Sequence, residues 1–201
     1  MAGIVTIPAS AAIASISHNF EQGADYYFFD NRKEEVPSLY KQLLAAATDY
    51  IQIWDPYYDE NKDAELFEDV KANMMDIEIL TTQDHHGCNS RTAQELADNI
   101  LNAIPKKNTP KCKVTVRSFA KGAKNRANQP IPLWHDRYLI IDKTEVFLIG
   151  PSLTSQVETK RSFGFFRLNL TDDIKVVKKY FEEYRNELTS SQYPAIGRAS
   201  R

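Results

Sequence analysis

Leu133-Trp-His-Asp-Arg-Tyr-Leu-Ile-Ile-Asp142 is the stretch on which the reading of this chain turns. Its spacing is His-x-Arg-x4-Asp, carried by His135, Arg137 and Asp142. Tyr138 to Ile141 is an apolar, β-branched run and reads as a strand. Alternate side chains of a strand share a face, so His135 and Arg137 are expected to point into one pocket. A second apolar run, Glu145-Val-Phe-Leu-Ile149, follows at once and ends in Gly150-Pro151-Ser152. An imidazole and a guanidinium on one face, beside a Gly/Ser turn, suit a phosphate group.

Working outward, the sequence alternates strands and helices. Asp25–Phe29 is expected to be a strand by aromatic enrichment. Pro37 opens a helix over Ser38–Ala47. Tyr50–Trp54 alternates apolar and polar and ends at Asp55-Pro56, so it reads as a strand. Leu66, Phe67 and Val70 recur at helical spacing and predict a helix over Asp63–Met75. Asp76–Leu80 is another alternating strand. Ser90 caps a helix that Pro105 stops. Lys113–Arg117 and Phe163–Leu168 are strands, and Thr171 caps an amphipathic helix over Asp172–Leu188. Strands alternating with helices, then strands in succession, predict an α/β fold with a mixed β-sheet flanked by helices. The expected organisation is an N-terminal extension or linker over 1–23, one domain over 24–190 and a C-terminal tail over 191–201.

The His135, Arg137, Asp142 pattern, with Gly150 and Ser152 downstream, resembles the phospholipase D superfamily. That family's signature is His-x-Lys-x4-Asp, followed several residues later by Gly-Ser or Gly-Gly. Arg137 stands at the lysine position, and Pro151 with Thr154 departs from the segment that follows. The variant looks like a His-Asp-Arg subgroup of phospholipase D-like domains. The resemblance runs from roughly Gly23 to Leu188 and implies one phospholipase D-like half-domain. The chain contains one such motif, and His18, His85 and His86 lack the downstream spacing. In the resembled family two motifs face each other, so the resemblance implies a homodimer with a two-fold axis beside His135.

What the resemblance implies chemically is phosphodiester cleavage without metal or cofactor. One histidine attacks to give a phosphohistidine, and the opposite one protonates the leaving oxygen. Arg137 would neutralise the non-bridging oxygens as charge builds on them. Asp142 either orients the imidazole or the partner's cation, or simply begins the Asp142-Lys-Thr-Glu145 turn. Ser152 and Gly150 are candidate phosphate contacts. Trp134 is either a packed core residue or a stacking wall of the pocket. A second reading is a catalytically silent module that binds an anionic ligand (nucleic acid or a phospholipid headgroup) or a partner protein. Arg137 favours it, because a rigid fork can hold a ground state as tightly as a transition state.

Charge distribution points to nucleic acid as the phosphodiester. The 201 residues carry a net charge of −2, which gives no global pull toward polyanions. Yet Lys106, Lys107, Lys111, Lys113, Arg117, Lys121, Lys124 and Arg126 follow one another with no acidic residue between them. This run leads into the motif. Lys121, Lys124 and Arg126 are its expected substrate contacts, and the whole run reads as an electrostatic funnel or as a solvated basic loop. Two cysteines, Cys88 and Cys112, are too few for a disulfide framework and suggest a reducing cytoplasm. Asp84-His85-His86-Gly-Cys88 is an incomplete ligand set for structural zinc. No apolar run approaches membrane-spanning length. The first 17 residues carry no charged side chain, and Pro8 interrupts them, so they do not read as a secretory signal.

Overall fold

The computed structural model describes residues 26–29, 35–56, 58, 64–82, 90–119, 136–150, 163–187 and 195–201. Its strands are β1 (Tyr26–Phe29), β2 (Tyr50–Trp54), β3 (Met74–Thr82), β4 (Lys111–Phe119), β5 (Arg137–Ile141), β6 (Glu145–Ile149), β7 (Phe163–Arg167) and β8 (Ala195–Ser200). Its helices are α1 (Glu35–Ala45), α2 (Ser90–Ala103) and α3 (Thr171–Glu187). The strands form one sheet in the order β1-β7-β6-β5-β2-β3-β4-β8. β2, β3 and β4 run parallel at its centre, and every other pairing is antiparallel. The expected mixed α/β sheet is the sheet observed.

Helices cover both faces. On one face α1 and α2 bring Leu39, Tyr40, Leu43, Leu44, Leu96 and Ile100 onto Ile51, Ile53, Ile77, Ile79, Val114, Val116, Leu139 and Ile141, which form the main core. The residues are apolar at every second strand position, as a half-buried strand requires. On the other face α3 sets Val177 and Phe181 on Trp54, Leu80, Ile140 and Val146. Asp172 and Asp173 in its first turn and Arg185 in its last complement the helix dipole.

Two expectations differ from the structure. The helix expected over 63–75 is a single 3₁₀ turn, Ala64–Phe67, and the chain is already extended in β3 at Met74. Leu66, Phe67 and Val70 are buried as the pattern requires. Met74 and Met75, however, are drawn into parallel pairing with Lys111 and Cys112, and pairing across the sheet outweighs local helical spacing. The C-terminal tail expected over 191–201 contains β8, which pairs antiparallel with β4. Beyond it, Arg201 donates to the carbonyls of Leu101 and Ile104 at the end of α2 and to that of Thr109, just before β4. The Ala-Ile-Gly-Arg-Ala-Ser composition of β8 hid it, because small residues replace the usual β-branched ones. Packing explains them: a Cβ on Gly197 would lie 1.9 Å from the Ala93 carbonyl oxygen, so α2 rests directly on the strand backbone. The extension expected over 1–23 lies outside the described residues.

Candidate active site

The core-facing column of each central strand runs apolar, apolar, polar. On β2 it is Ile51, Ile53 and then Asp55, one residue past the strand. On β3 it is Ile77, Ile79, Thr81, and on β4 it is Val114, Val116, Ser118. β5 runs antiparallel to β2, with Tyr138 opposite Trp54 and Ile141 opposite Ile51. Its column read backwards is therefore Ile141, Leu139, Arg137. Thr81 pairs with Ser118 directly. The four polar residues thus lie level, in one row, at the carboxyl ends of the parallel strands. That edge is where open α/β sheets place their ligand crevices.

The row is deeply buried. Asp55 is 1% exposed, Thr81 and Ser118 0%, and Arg137 8%. Arg137 Nε lies 3.4 Å from Asp55 Oδ1, and its Nη1 donates to the Gly150 carbonyl oxygen at 2.9 Å. Gly150 is drawn in by the same turn, with its own N–H bonded to the Gly164 carbonyl at 2.8 Å. A Cβ there would approach that carbonyl oxygen to 3.1 Å, so the tight crossing suits glycine. The guanidinium is thereby held by one hydrogen bond to a carbonyl and by an ion pair with a buried carboxylate. Removing one partner from a buried ion pair costs about 3–5 kcal/mol, so Arg137 and Asp55 depend on each other. Thr81 Oγ1 is buried and makes no hydrogen bond, so this row holds an unmet hydroxyl.

Asp142 lies at the other end of β5. The five-residue strand places it roughly 17 Å from the level of Arg137. Its carboxylate accepts from the Thr48 N–H at 3.0 Å, the Thr48 hydroxyl at 2.8 Å, the Asp49 N–H at 3.0 Å and the Tyr50 N–H at 3.1 Å. Partial burial opposes its charge, but these bonds outweigh that and hold its pKa below the ordinary carboxylate value. Its oxygens are occupied by the start of β2, and of the two readings left open, the turn is the one observed. Asp142 and Lys143 have φ of 49° and 59°, the left-handed conformation that a tight strand connection requires.

The structure also divides the basic run. Lys106, Lys107 and Lys111 sit where the chain enters β4, at the amino end of the parallel strands and so away from Arg137. Lys113 is 3.6 Å from Asp76. Arg117 faces the α3 side of the sheet. These residues do not line one funnel with the motif. His135, Trp134, Lys121, Lys124, Arg126 and Ser152, together with the Asp84–Cys88 segment, lie outside the described residues. Asp55, Thr81 and Ser118 were missed in the sequence, although the apolar-apolar-polar column on three successive strands could have revealed them.

The sheet order, the helices on both faces and the arginine at the carboxyl edge define a phospholipase D-like fold. Two solved structures share it. One is NucT from Helicobacter pylori, 14% identical with a TM-score of 0.51. The other is Nuc from Salmonella typhimurium, described as a phospholipase D family member, 14% identical with a TM-score of 0.52. Each alignment covers 81% of this chain and 94% of the other. No protein-family model and no curated protein matches the sequence.

Proposed function

We propose that this chain is a metal-independent phosphodiesterase acting on nucleic acid through a phosphohistidine, with its site completed by a second copy. The observation that carries the reading is the polar row at the carboxyl edge of a phospholipase D-like sheet, with Arg137 fixed in it. The motif places His135 two residues before Arg137, so a strand-like approach would carry it on the same face one step further out. His135 would attack the phosphorus, and the partner copy's histidine would protonate the departing oxygen. Arg137, aimed in advance by Asp55 and Gly150, would receive the developing charge on the non-bridging oxygens without reorienting. Lys121, Lys124 and Arg126 would hold the flanking phosphates, Ser152 and Gly150 the scissile one, and Trp134 a base. The name of the Salmonella protein, a phospholipase D family member, supports phosphodiester chemistry.

The second reading, a silent module that binds an anion, is favoured by one observation. Asp55 pairs with Arg137, so the couple offers no net positive charge to a phosphate. Cleavage assays on single- and double-stranded DNA and on RNA, in excess EDTA, decide between the two. The wild type is expected to cleave and His135→Ala to be silent. Activity that needs a divalent metal, or that survives His135→Ala, refutes the phosphohistidine. Wild type that binds the same oligonucleotides without cleaving them supports the silent module. Light scattering is expected to give a dimer, and a monomer at tens of micromolar, roughly the range of weak assemblies, counts against a shared site.

A further inference from the structure

The face of the sheet opposite Arg137 carries a second concentration of charge that the proposed reaction does not use. Tyr50 and Gln52 on β2, Glu78 on β3, Thr115 and Arg117 on β4 and Arg198 on β8 share this face. Gln52 pairs with Glu78, Glu78 with Thr115, and Thr115 with Arg198. Arg117 is two residues beyond Thr115 and so is diagonal to both Glu78 and Arg198. Arg185 reaches down from α3, with Nη1 3.5 Å from Glu78 Oε2 and Nη2 2.8 Å from Glu182 Oε2.

The carboxylate in this cluster is already engaged. Glu78 Oε2 accepts from the Tyr50 hydroxyl at 2.8 Å, and Gln52 Nε2 donates to that same hydroxyl oxygen at 2.5 Å. Arg117 is not among its hydrogen-bond donors. Arg117 is only 8% exposed, yet its Nε and Nη1 are buried without any hydrogen-bond partner. A buried guanidinium with unmet N–H groups is costly, and a charge-assisted acceptor would relieve that cost. Three arginines face two carboxylates, Glu78 and Glu182, so the cluster is left with one excess positive charge. Asp76 at its lower edge is taken by Lys113. Arg198 is exposed and Arg185 partly so, which opens the cluster to solvent on the β8 side.

We infer that Arg117, Arg185 and Arg198 form a second anion site, on the α3 face of the sheet, that takes one phosphate group. Arg117 supplies the buried donors at its floor, and Arg185 and Arg198 close over the ligand from the rim. The site is separate from the row that holds Arg137 and does not depend on the proposed cleavage. The phosphate belongs either to a free phosphate or to a nucleic-acid backbone.

Calorimetric titration of the full chain tests this, in a His135→Ala background so that no substrate is consumed. Inorganic phosphate and a single-stranded hexanucleotide are the two probes. Arg198 is exposed, so Arg198→Ala leaves the core untouched, and Arg198→Lys is the conservative control. Arg198→Ala is expected to weaken binding about tenfold, the loss of one charge-assisted contact, and Arg198→Lys to recover part of it. Weakening for phosphate identifies a free anion as a ligand, and weakening for the hexanucleotide alone identifies a backbone phosphate. If neither probe loses more than twofold in Arg198→Ala, or neither binds the parent chain, the site does not exist.

Discussion

Replacing Asp142 separates chemistry from architecture at the motif. Its carboxylate receives three backbone N–H groups and one hydroxyl from Thr48 to Tyr50. Hydrogen bonds to a charged group are worth about 1.5–3 kcal/mol each when buried. This turn is partly exposed, and water replaces part of what is lost, so about 2 kcal/mol for the whole set is a fair expectation. Asp142→Ala adds about 1 kcal/mol, because alanine at a φ of 49° is strained where aspartate is tolerated. Asp142→Gly removes the carboxylate but not the conformational freedom, so the difference between the two variants measures the backbone contribution. Asp142→Asn keeps one acceptor oxygen and should cost about 1 kcal/mol. For a chain of this length, 3 kcal/mol is roughly 6–12 °C in Tm.

The pH dependence has a definite sign. The folded pKa of Asp142 lies below its ordinary value, so the stabilisation is present above pH of about 4 and fades as pH falls through the folded value. Urea unfolding at pH 7 and pH 3 should therefore show wild type and Asp142→Ala converging in acid. Cleavage by folded Asp142→Asn, assayed well below its Tm, should persist. A variant as stable as wild type but without activity would refute the structural assignment and return Asp142 to the chemistry.

Other perturbations follow from single observations. Gly197→Ala drives a Cβ into the Ala93 carbonyl, backbone against backbone, and should cost about 3 kcal/mol or more in urea unfolding; an unchanged midpoint would mean α2 does not rest on β8. Asp55→Ala should cost about 3–5 kcal/mol, and Asp55→Leu combined with Arg137→Met should recover much of it, because the pair is then replaced rather than broken. A loss below about 1 kcal/mol for Asp55→Ala would show that Arg137 does not need it. Burial pushes the Cys112 thiol up to about 11, so in a Cys88→Ser background Ellman's reagent at pH 8 should modify Cys112 only on unfolding.

What was legible in the sequence followed from local periodicity. Tyr50–Trp54 alternates and Glu145–Ile149 is an apolar run, and both strands have the bounds expected of them. α2 begins at Ser90 and ends two residues before Pro105, as expected, whereas the first N–H bond of α3 runs from Ile174 to the Leu170 carbonyl, so the expected cap Thr171 is its first helical residue. What escaped depended on partners distant in sequence. β8 is written in small residues because α2 lies on it, a fact carried by Ala93 and not by the strand itself. Asp55 looked like a strand terminator before Pro56. Its meaning appears only when Arg137, far along the chain, is placed level with it. The basic run looked continuous along the chain, but β4 carries its first part to the opposite edge of the sheet.

The spacing of the motif now has a geometric meaning. β5 begins level with Asp55 and ends level with Ile51, and Asp142, one residue past it, is level with Tyr50, where β2 starts. Arg137 belongs to one edge of the sheet and Asp142 to the other. The four residues between them, Tyr138 to Ile141, are the distance from the polar row to the anchor, the length of the strand itself. Asp142 pins the amino end of β2 to the far end of β5, and that fixes their register. With the register fixed, Arg137 must arrive opposite Asp55 on the core face. A slip of one residue would turn Arg137 to the α3 face and bring Tyr138 into the row. The aspartate of this pattern thus acts on the site through the strand, by deciding which side chain the strand delivers to the carboxyl edge.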